Sequence, residues 1–344
     1  MRGATIAEVA QHAGVGVGTV SRVLNGSPAV SEPTRRRVLD SIAALDYRPN
    51  LVARALSTGR TMAVGVLAPF FTQPSVVERL RGVTRTLTGA GYEVVLFGVE
   101  LPEQARERLA TRAQRGRMDG ILCVSLAPSD AEAARLEAAR IPAVLIDRDH
   151  PRLPSVTIDD VEGGRMAARH LLRLGHRCIG FVGDLEDNPF GFASSARRRE
   201  GFEAELAAAG VTPEPRLRFL CPHGRADARA AAAELLAADP RPTAVFASCD
   251  VQAIGVLEAA QAAGVTVPDE LSVIGFDNVE AAGFTGLTTI AQPLEESGAV
   301  AAELLVRALA GEVVTSRRMP LALVERHSTA PAAVGAEDVL GTRG

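Results

Sequence analysis

Between Val17 and Asn25 the sequence VGTVSRVLN gathers a guanidinium, two hydroxyls and an amide. If this stretch is a helix with Val20, Val23 and Leu24 turned inward, then Val17, Gly18, Thr19, Ser21, Arg22 and Asn25 face outward together. Arg22 is the strongest base reader among them, because a guanidinium can bond two acceptors on a guanine edge. Thr19, Ser21 and Asn25, with Ser31 and Thr34 downstream, carry hydroxyl or amide groups suited to phosphate oxygens, which set position more than sequence. A second chemical set lies far along the chain. Asp147, Asp250 and Asp277 each close an apolar run (AVLIDR, AVFASCD, LSVIGFD), placing a carboxylate where a buried strand would open into a cleft. Carboxylates there accept hydroxyl protons.

The elements that must position Arg22 can be read locally. Thr5 followed by Glu8 forms a capping box ahead of the apolar stripe Ile6, Val9, Ala10, predicting a helix from about Ile6 to His12. Ala13-Gly14-Val15-Gly16 is a short turn, and the helix from Val17 to Leu24 stops at Asn25-Gly26. Ser31, with Pro33 just inside, caps a third helix whose inner face is Val38, Ile42 and Leu45. Two short helices joined by such a turn make a helix-turn-helix, closed by the third. Arg48-Pro49-Asn50 breaks that helix, and Asn50 caps a segment running from Leu51 to Leu56. A helix that short is unstable alone in water. It needs DNA or a twin copy: Ala53 and Ala55 permit close approach, and Leu56 is placed to wedge between base steps in the minor groove.

Charge agrees with this division. Residues 1–60 hold eight arginines and four acids, a net of +4 on a chain whose total is −4, leaving −8 on the remainder. A basic module on an acidic body is the pattern expected when only the module meets phosphates.

Several function classes are disfavoured. The 344 residues are 47% hydrophobic and 4% aromatic, with no stretch approaching the roughly 20 apolar residues of a membrane span. The N-terminus lacks the order of a signal peptide, so a cytoplasmic location is expected. Cys123, Cys178, Cys221 and Cys249 show no CxxC spacing, which points to reduced thiols and neither metal nor disulfides. The six histidines form no HExxH, and no GxSxG elbow occurs. The chain is therefore expected to be no enzyme and to use no cofactor. The glycines at 14, 16 and 18 follow a helix and not a strand, so they are no dinucleotide loop.

From Met62 onward strands alternate with helices. MAVGVLAP, EVVLFGV, DGILCVS and AVLIDR read as buried parallel strands. The pattern then restarts with helices Val161 to Leu174, Ser194 to Ala209, Ala226 to Ala237 and Val251 to Ala263, interleaved with strands CIGFVGD, AVFAS and LSVIGF. The fold class is α/β: a three-helix headpiece with a hinge helix, then two doubly wound parallel-sheet lobes, with ligands expected between the lobes at the carboxyl ends of strands. The expected divisions are 1–48 for the headpiece, 49–60 for hinge helix and linker, 61–330 for the core and 331–344 for a tail. Within the core, one lobe takes about 61–160 plus 291–320 and the other 161–290 plus 321–330, with helix Leu294 to Leu309 and a strand near Leu321 to Val324 carrying the chain back between them.

These stretches resemble the LacI/GalR family of bacterial transcriptional regulators. TVSRVLN, preceded by AGV and followed by VSEPTRRRV and YRPN, is similar to its headpiece. VTIDDVEGGRMAARHLLRLGHRCIGFVGD, RRREGF, PTAVFASCD, VPDELSVIGFDN and LTTIAQPLEESG are similar to its periplasmic-binding-protein-like core. The resemblance implies base reading at Val17, Gly18 and Arg22, phosphate contacts at Thr5, Thr19, Ser21, Asn25, Ser31 and Thr34, and minor-groove insertion at Leu56. It also implies effector binding by Asp147, Arg198 and Asp277. The implied partners are a pseudo-palindromic double-stranded operator, a small-molecule effector and a second copy in a homodimer. Repression relieved by a sugar inducer is the expectation, with a nucleoside- or phosphometabolite-responsive co-repressor system as the alternative.

Four departures bear on specificity. Gly16 replaces the usual serine cap, and Gly18 offers no side chain to a base. Gln73-Pro74-Ser75-Val76 stands where relatives carry NPFF, leaving Ser75 in the pocket and Phe70, Phe71 or Phe192 as the available aromatics. Cys249 replaces an asparagine before Asp250. No leucine heptads follow Ala330, so no tetramer-forming zipper is expected.

Overall fold

The computed structural model describes residues 4–24, 26–47, 60–112 and 117–332. Asn25, Asn50, Ala53 and Leu56, with the rest of the expected hinge helix, lie outside these residues. The chain divides into two compact units, Met1–Met62 and Ala63–Gly344.

The first unit is built from α1 (Ile6–Ala13), α2 (Val17–Leu24) and α3 (Glu32–Ala44). The capping box forms: Thr5 N–H donates to Glu8 Oε2 at 2.7 Å and Glu8 N–H donates to Thr5 Oγ1 at 3.3 Å. Gly14 ends α1 at φ +63°, a left-handed turn that a side chain would strain. Val9, Ala10, Ala13, Val20, Val23 and Val38 meet in a small core closed by Tyr47. On α3, Val38 is buried as expected, but Ile42 and Leu45 are only half-buried, and Ser41 takes the inner position. Its hydroxyl donates to Arg37 O at 2.8 Å and lies 3.0 Å from His12 Nδ1. Ser31 stands at the start of α3 without making a side-chain cap, because its hydroxyl donates to Thr34 Oγ1 at 3.0 Å instead.

The second unit contains two six-stranded sheets. In the first lobe the strands β1 (Ala63–Pro69), β2 (Glu93–Val99), β3 (Gly120–Val124), β4 (Ala143–Ile146), β5 (Ser155–Thr157) and β11 (Arg317–Arg318) lie in the order β11-β5-β4-β3-β1-β2, all parallel. In the second lobe β6 (Ile179–Asp184), β7 (Arg218–Cys221), β8 (Ala244–Ala247), β9 (Ser272–Asp277), β10 (Thr288–Ala291) and β12 (Ala322–Val324) lie in the order β12-β10-β9-β8-β6-β7, with β12 alone antiparallel. The chain crosses between lobes after β5, after β10 and between β11 and β12.

Burial follows from this order. The central strands β3 and β4 are buried throughout. EVVLFGV, read as a buried strand, is β2 at the sheet edge, where only Val99 is buried and Leu96 is exposed. It pairs on one side only, so half its surface stays wet. The short strands β5, β7, β10 and β11 were not marked in the sequence. In β10 the reason is visible: Thr288 and Thr289 break the apolar pattern yet are fully buried, because the Thr288 hydroxyl accepts from Arg326 N–H and meets Thr329 Oγ1 while the Thr289 hydroxyl donates to Asp250.

Helix packing repeats in the two lobes. In the first, α4 (Pro74–Gly89) lies along α12 (Leu294–Leu309) and the close contacts fall on glycines: a Cβ on Gly82 would stand 1.9 Å from Glu295 O, and one on Gly298 2.0 Å from Arg79 O. In the second, α7 (Asp160–Arg173) lies along α8 (Ser194–Ala208), where a Cβ on Gly164 would stand 1.8 Å from Arg198 O and one on Gly201 1.8 Å from Val161 O. Glycine lets each helix pair come to backbone contact. Both pairs thereby bring an arginine, Arg79 or Arg198, to the floor between the lobes.

Candidate functional site

In the headpiece, α2 presents Val17, Gly18 and Arg22 as exposed residues, with Val17 at 47% exposure, while Thr19 and Ser21 are half-buried. This is the face expected of a recognition helix. Ser31 is exposed and Thr34 half-buried, so the two bonded hydroxyls sit together at the start of α3. Thr5 is exposed, but its hydroxyl is bonded to Glu8 in the cap, so a phosphate at Thr5 competes with that bond. Asn25, Asn50, Ala53 and Leu56 are outside the described residues.

Between the lobes, the strand ends converge as the sequence pattern required. Phe70, Ser125 and Asp147 directly follow β1, β3 and β4, and Asp277 ends β9; all four have positive φ, at 43°, 52°, 70° and 114°. Non-glycine residues held in this region cost free energy and gather at binding sites.

A polar row follows. Ser125 Oγ donates to Asp147 Oδ2 at 2.9 Å, and Arg79 Nη2 donates to Asp147 Oδ1 at 3.0 Å and to Gln292 Oε1 at 3.0 Å. Gln292 Nε2 donates to Asp277 Oδ1 at 2.6 Å. Arg198 Nη1 lies 3.6 Å from the same oxygen, donates to Ser248 O at 2.7 Å, and its Nε donates to Asp160 Oδ1 at 2.8 Å. The Arg198 guanidinium sits 3.6 Å over the Phe276 ring, a stacked cation that holds its orientation. Three carboxylates thus face two guanidiniums. Burial pushes Asp160 up, against the opposing field of Arg198, and pushes Asp277 up against Arg198, Gln292 and Arg79.

Asp147, Arg198 and Asp277 are therefore brought together, with Phe70 at the rim and Ser75 on the first turn of α4. Ser75 is one helical turn before Arg79 and on the same face. Asp250 is used differently. It is fully buried, its Oδ1 accepts from Thr289 Oγ1 at 2.6 Å and its Oδ2 from Val279 N–H at 2.9 Å. Burial and the charge of Asp277 push its pKa up to about 8. It pins the start of α10 (Asp250–Ala262) to β10 and the turn after β9, and presents no oxygen to the cleft. Cys249 is also buried, its thiol facing Gln252 Oε1 at 3.6 Å, and burial raises its pKa well above the ordinary thiol value.

Two features went unread in the sequence. Arg79 is one, although its signal was present: Arg79-x-x-Gly82 repeats the Arg198-x-x-Gly201 spacing of the other lobe. The other is a network at the ends of β6 and β7. His223 Nδ1 lies 2.9 Å from Asp184 Oδ1, and Gln252 Nε2 donates to that oxygen at 2.8 Å while Ser248 Oγ donates to Gln252 Oε1 at 2.6 Å. His223 is thereby held at the ends of β6 and β7 by its bond to Asp184. Among the described residues no group of His, Cys, Asp and Glu could hold a metal ion, and no helix is long and apolar enough to cross a membrane.

Residues 5–50 match the lacI family of bacterial regulatory proteins, and residues 168–329 match a periplasmic binding protein-like domain. The HTH-type transcriptional regulator DegA of Bacillus subtilis (strain 168) is 34% identical over 342 residues, covering 95% of this chain and 98% of DegA. The chain belongs to the LacI family.

Two solved structures of transcriptional regulators align along nearly its whole length. The lac repressor dimer bound to operator and the anti-inducer ONPF has a TM-score of 0.83 at 26% identity, covering 96% of this chain and all of that one. The transcriptional regulator CelR in complex with cellobiose has a TM-score of 0.70 at 30% identity, covering 94% of this chain and 99% of that one. This LacI-family member is accordingly a DNA-binding transcriptional regulator. Its relatives are regulators and not enzymes.

Proposed function

We propose that this LacI-family protein is a homodimeric repressor whose headpieces read a pseudo-palindromic operator, and that a neutral sugar bound between the lobes weakens that grip. The observation that carries the reading is the row Asp147, Arg79, Gln292, Asp277 and Arg198, which runs unbroken from one lobe to the other. Carboxylates accept several hydroxyl protons while guanidiniums donate, so a polyol suits the row. Three carboxylates against two guanidiniums leave no excess positive charge for a phosphate. That favours a sugar over a phosphorylated metabolite. The solved relative that carries cellobiose supports the same ligand class.

In this mechanism Val17 and Arg22 read base edges, with Gly18 leaving space against the groove, and Thr5, Thr19, Ser21, Asn25, Ser31 and Thr34 hold phosphates. Asn50 starts the hinge helix, Ala53 pairs it with its twin and Leu56 enters the minor groove. Sugar binding shifts one lobe against the other and alters hinge-helix pairing, a coupling typically of about 1–3 kcal/mol.

The test is fluorescence anisotropy of the full-length protein on a set of pseudo-palindromic duplexes at fixed salt, with and without a panel of mono- and disaccharides. Tight binding to one duplex that one sugar weakens is the expected result. Binding unmoved by every sugar but strengthened by a nucleoside or a phosphorylated metabolite would replace this reading with the co-repressor one.

A further inference from the structure

The loop between β6 and α8 belongs to the second lobe by sequence and to the first lobe by packing. Phe190 and Phe192 rest against the apolar core of the first lobe, the cluster that includes Leu67, Val99, Leu126 and Leu153. Phe190 meets Phe70, just past β1, edge to face with ring centroids 5.5 Å apart. Phe192 stacks on Phe190 at 5.3 Å with the rings 11° from parallel. Arg148, immediately after Asp147 in the first lobe, donates through Nη1 to Gly191 O at 2.7 Å.

The loop is also preshaped. Asn188 Oδ1 accepts from Phe192 N–H at 2.8 Å, Asn188 Nδ2 donates to Phe192 O at 3.0 Å, and Gly191 N–H donates to Asn188 O at 3.0 Å. Gly191 has φ +63°, a conformation that leaves the two phenylalanines side by side on one face of the turn. A turn fastened in this way spends little entropy when it engages.

We propose that the segment Asp187–Ala193 is an inter-lobe hook, which holds the two lobes together at the cleft mouth through contacts made by the chain's own side chains. The buried row at the cleft floor joins the lobes near the crossovers; the hook joins them at the rim, farther out on the Phe70 side. Opening the cleft draws two aromatic rings away from the first lobe's core, against which they pack, and breaks the Arg148 bond. The hook therefore sets how readily the lobes part, and through that the balance between the two lobe arrangements. It requires neither operator nor sugar, so its failure is separable from failure of the sugar-repressor reading.

The test is hydrogen exchange followed by mass spectrometry on the full-length protein without added ligand, comparing wild type with Phe190→Ala and with Arg148→Ala. The first-lobe reporter is the turn at 69–73, where Phe70 N–H donates to Val99 O and Gln73 N–H to Phe70 O. The second-lobe reporter is the loop at 186–193. In Phe190→Ala both reporters should exchange about tenfold faster while β3 and β6 keep their protection. Arg148→Ala leaves both rings in place and should give the same pattern at smaller amplitude, which decides the matter if Phe190→Ala misfolds. Faster exchange confined to 186–193, with 69–73 at its wild-type rate in both variants, would show a loop that merely leans on the other lobe and would overturn the proposal.

Discussion

Arg79 and Asp147 form a buried ion pair at 3.0 Å, their side chains only 5% and 12% exposed. The pair occupies one carboxylate oxygen, and Ser125 occupies the other. Because Arg79 also donates to Gln292, the first lobe's acid is linked through one amide to Asp277 of the second. Removing one member of a buried pair strands the other charge, typically at a cost of about 3–5 kcal/mol, whereas replacing both by apolar groups can be nearly neutral. Arg79→Met should therefore lower the urea midpoint of the core sharply, and Arg79→Met combined with Asp147→Leu should recover at least half of that loss. Additive losses in the double variant would mean that the two residues act independently.

Arg22 is exposed on α2 beside Val17 and Gly18. A bidentate contact to a base discriminates by about 1–3 kcal/mol. Arg22→Ala should weaken binding to the preferred duplex by that amount and narrow its margin over a scrambled duplex. Thr34→Ala should weaken both duplexes alike and leave the margin unchanged. Equal losses on the two duplexes in Arg22→Ala would assign Arg22 to the phosphate backbone.

Glycines separate packing from propensity. A Cβ on Gly201 would stand 1.8 Å from Val161 O, whereas nothing lies within 4 Å of one on Gly18. Gly201→Ala must push α8 away from α7 and should cost about 1–3 kcal/mol in the core's urea unfolding. Gly18→Ala should instead stabilise the headpiece by up to about 1 kcal/mol, since alanine favours an exposed helix position. A stable Gly201→Ala protein would show that the helix pair can part without loss.

The periodic elements were legible in the sequence because apolar spacing alone specifies them. Val9, Ala10, Val20, Val23 and Val38 follow helical spacing and make the headpiece core, and the central strands are unbroken apolar runs. Asp147 and Asp277 were legible as strand-end acids. Less visible were features that depend on partners distant in sequence. Thr288 and Thr289 look too polar for a buried strand until Thr329, Arg326 and Asp250 are set beside them. Asp250 has the same strand-end context as Asp277, and only the nearness of Val279 and Thr289 turns it inward. Phe190 and Phe192 sit in a Pro/Gly-containing loop, and no local pattern says that their core belongs to the other lobe.

Histidines give the stability a direction in pH. His176 is buried, with Nδ1 3.0 Å from Thr243 Oγ1 and Nε2 3.0 Å from both Ser272 Oγ and Ala330 O. His170 Nε2 lies 3.0 Å from Thr329 Oγ1. Burial draws both pKa values below the ordinary 6.5, outweighing the Ala330 carbonyl at His176 and Glu325 at His170. The unfolded chain therefore takes up these protons first as the pH falls. Their contribution is full above pH 6.5 and is lost as the pH drops from 6.5 through the folded-state values. His223 runs the other way: burial lowers its pKa, but the bond to Asp184 and the nearby acids raise it overall. Its contribution is full below 6.5 and is lost as the pH rises through its folded-state value. Asp160, Asp250 and Asp277, pushed up by burial, add stability as the pH falls, so the histidine contributions are read by urea unfolding between about pH 5 and pH 8 as differences between variant and wild type. Relative to wild type, His176→Gln should lose less stability as the pH falls below 6.5, whereas His223→Gln should gain less as the pH falls toward 6.5 from above and should match the wild-type slope below it. A stability profile below pH 6.5 that His176→Gln leaves identical to wild type would remove His176 as a contributor.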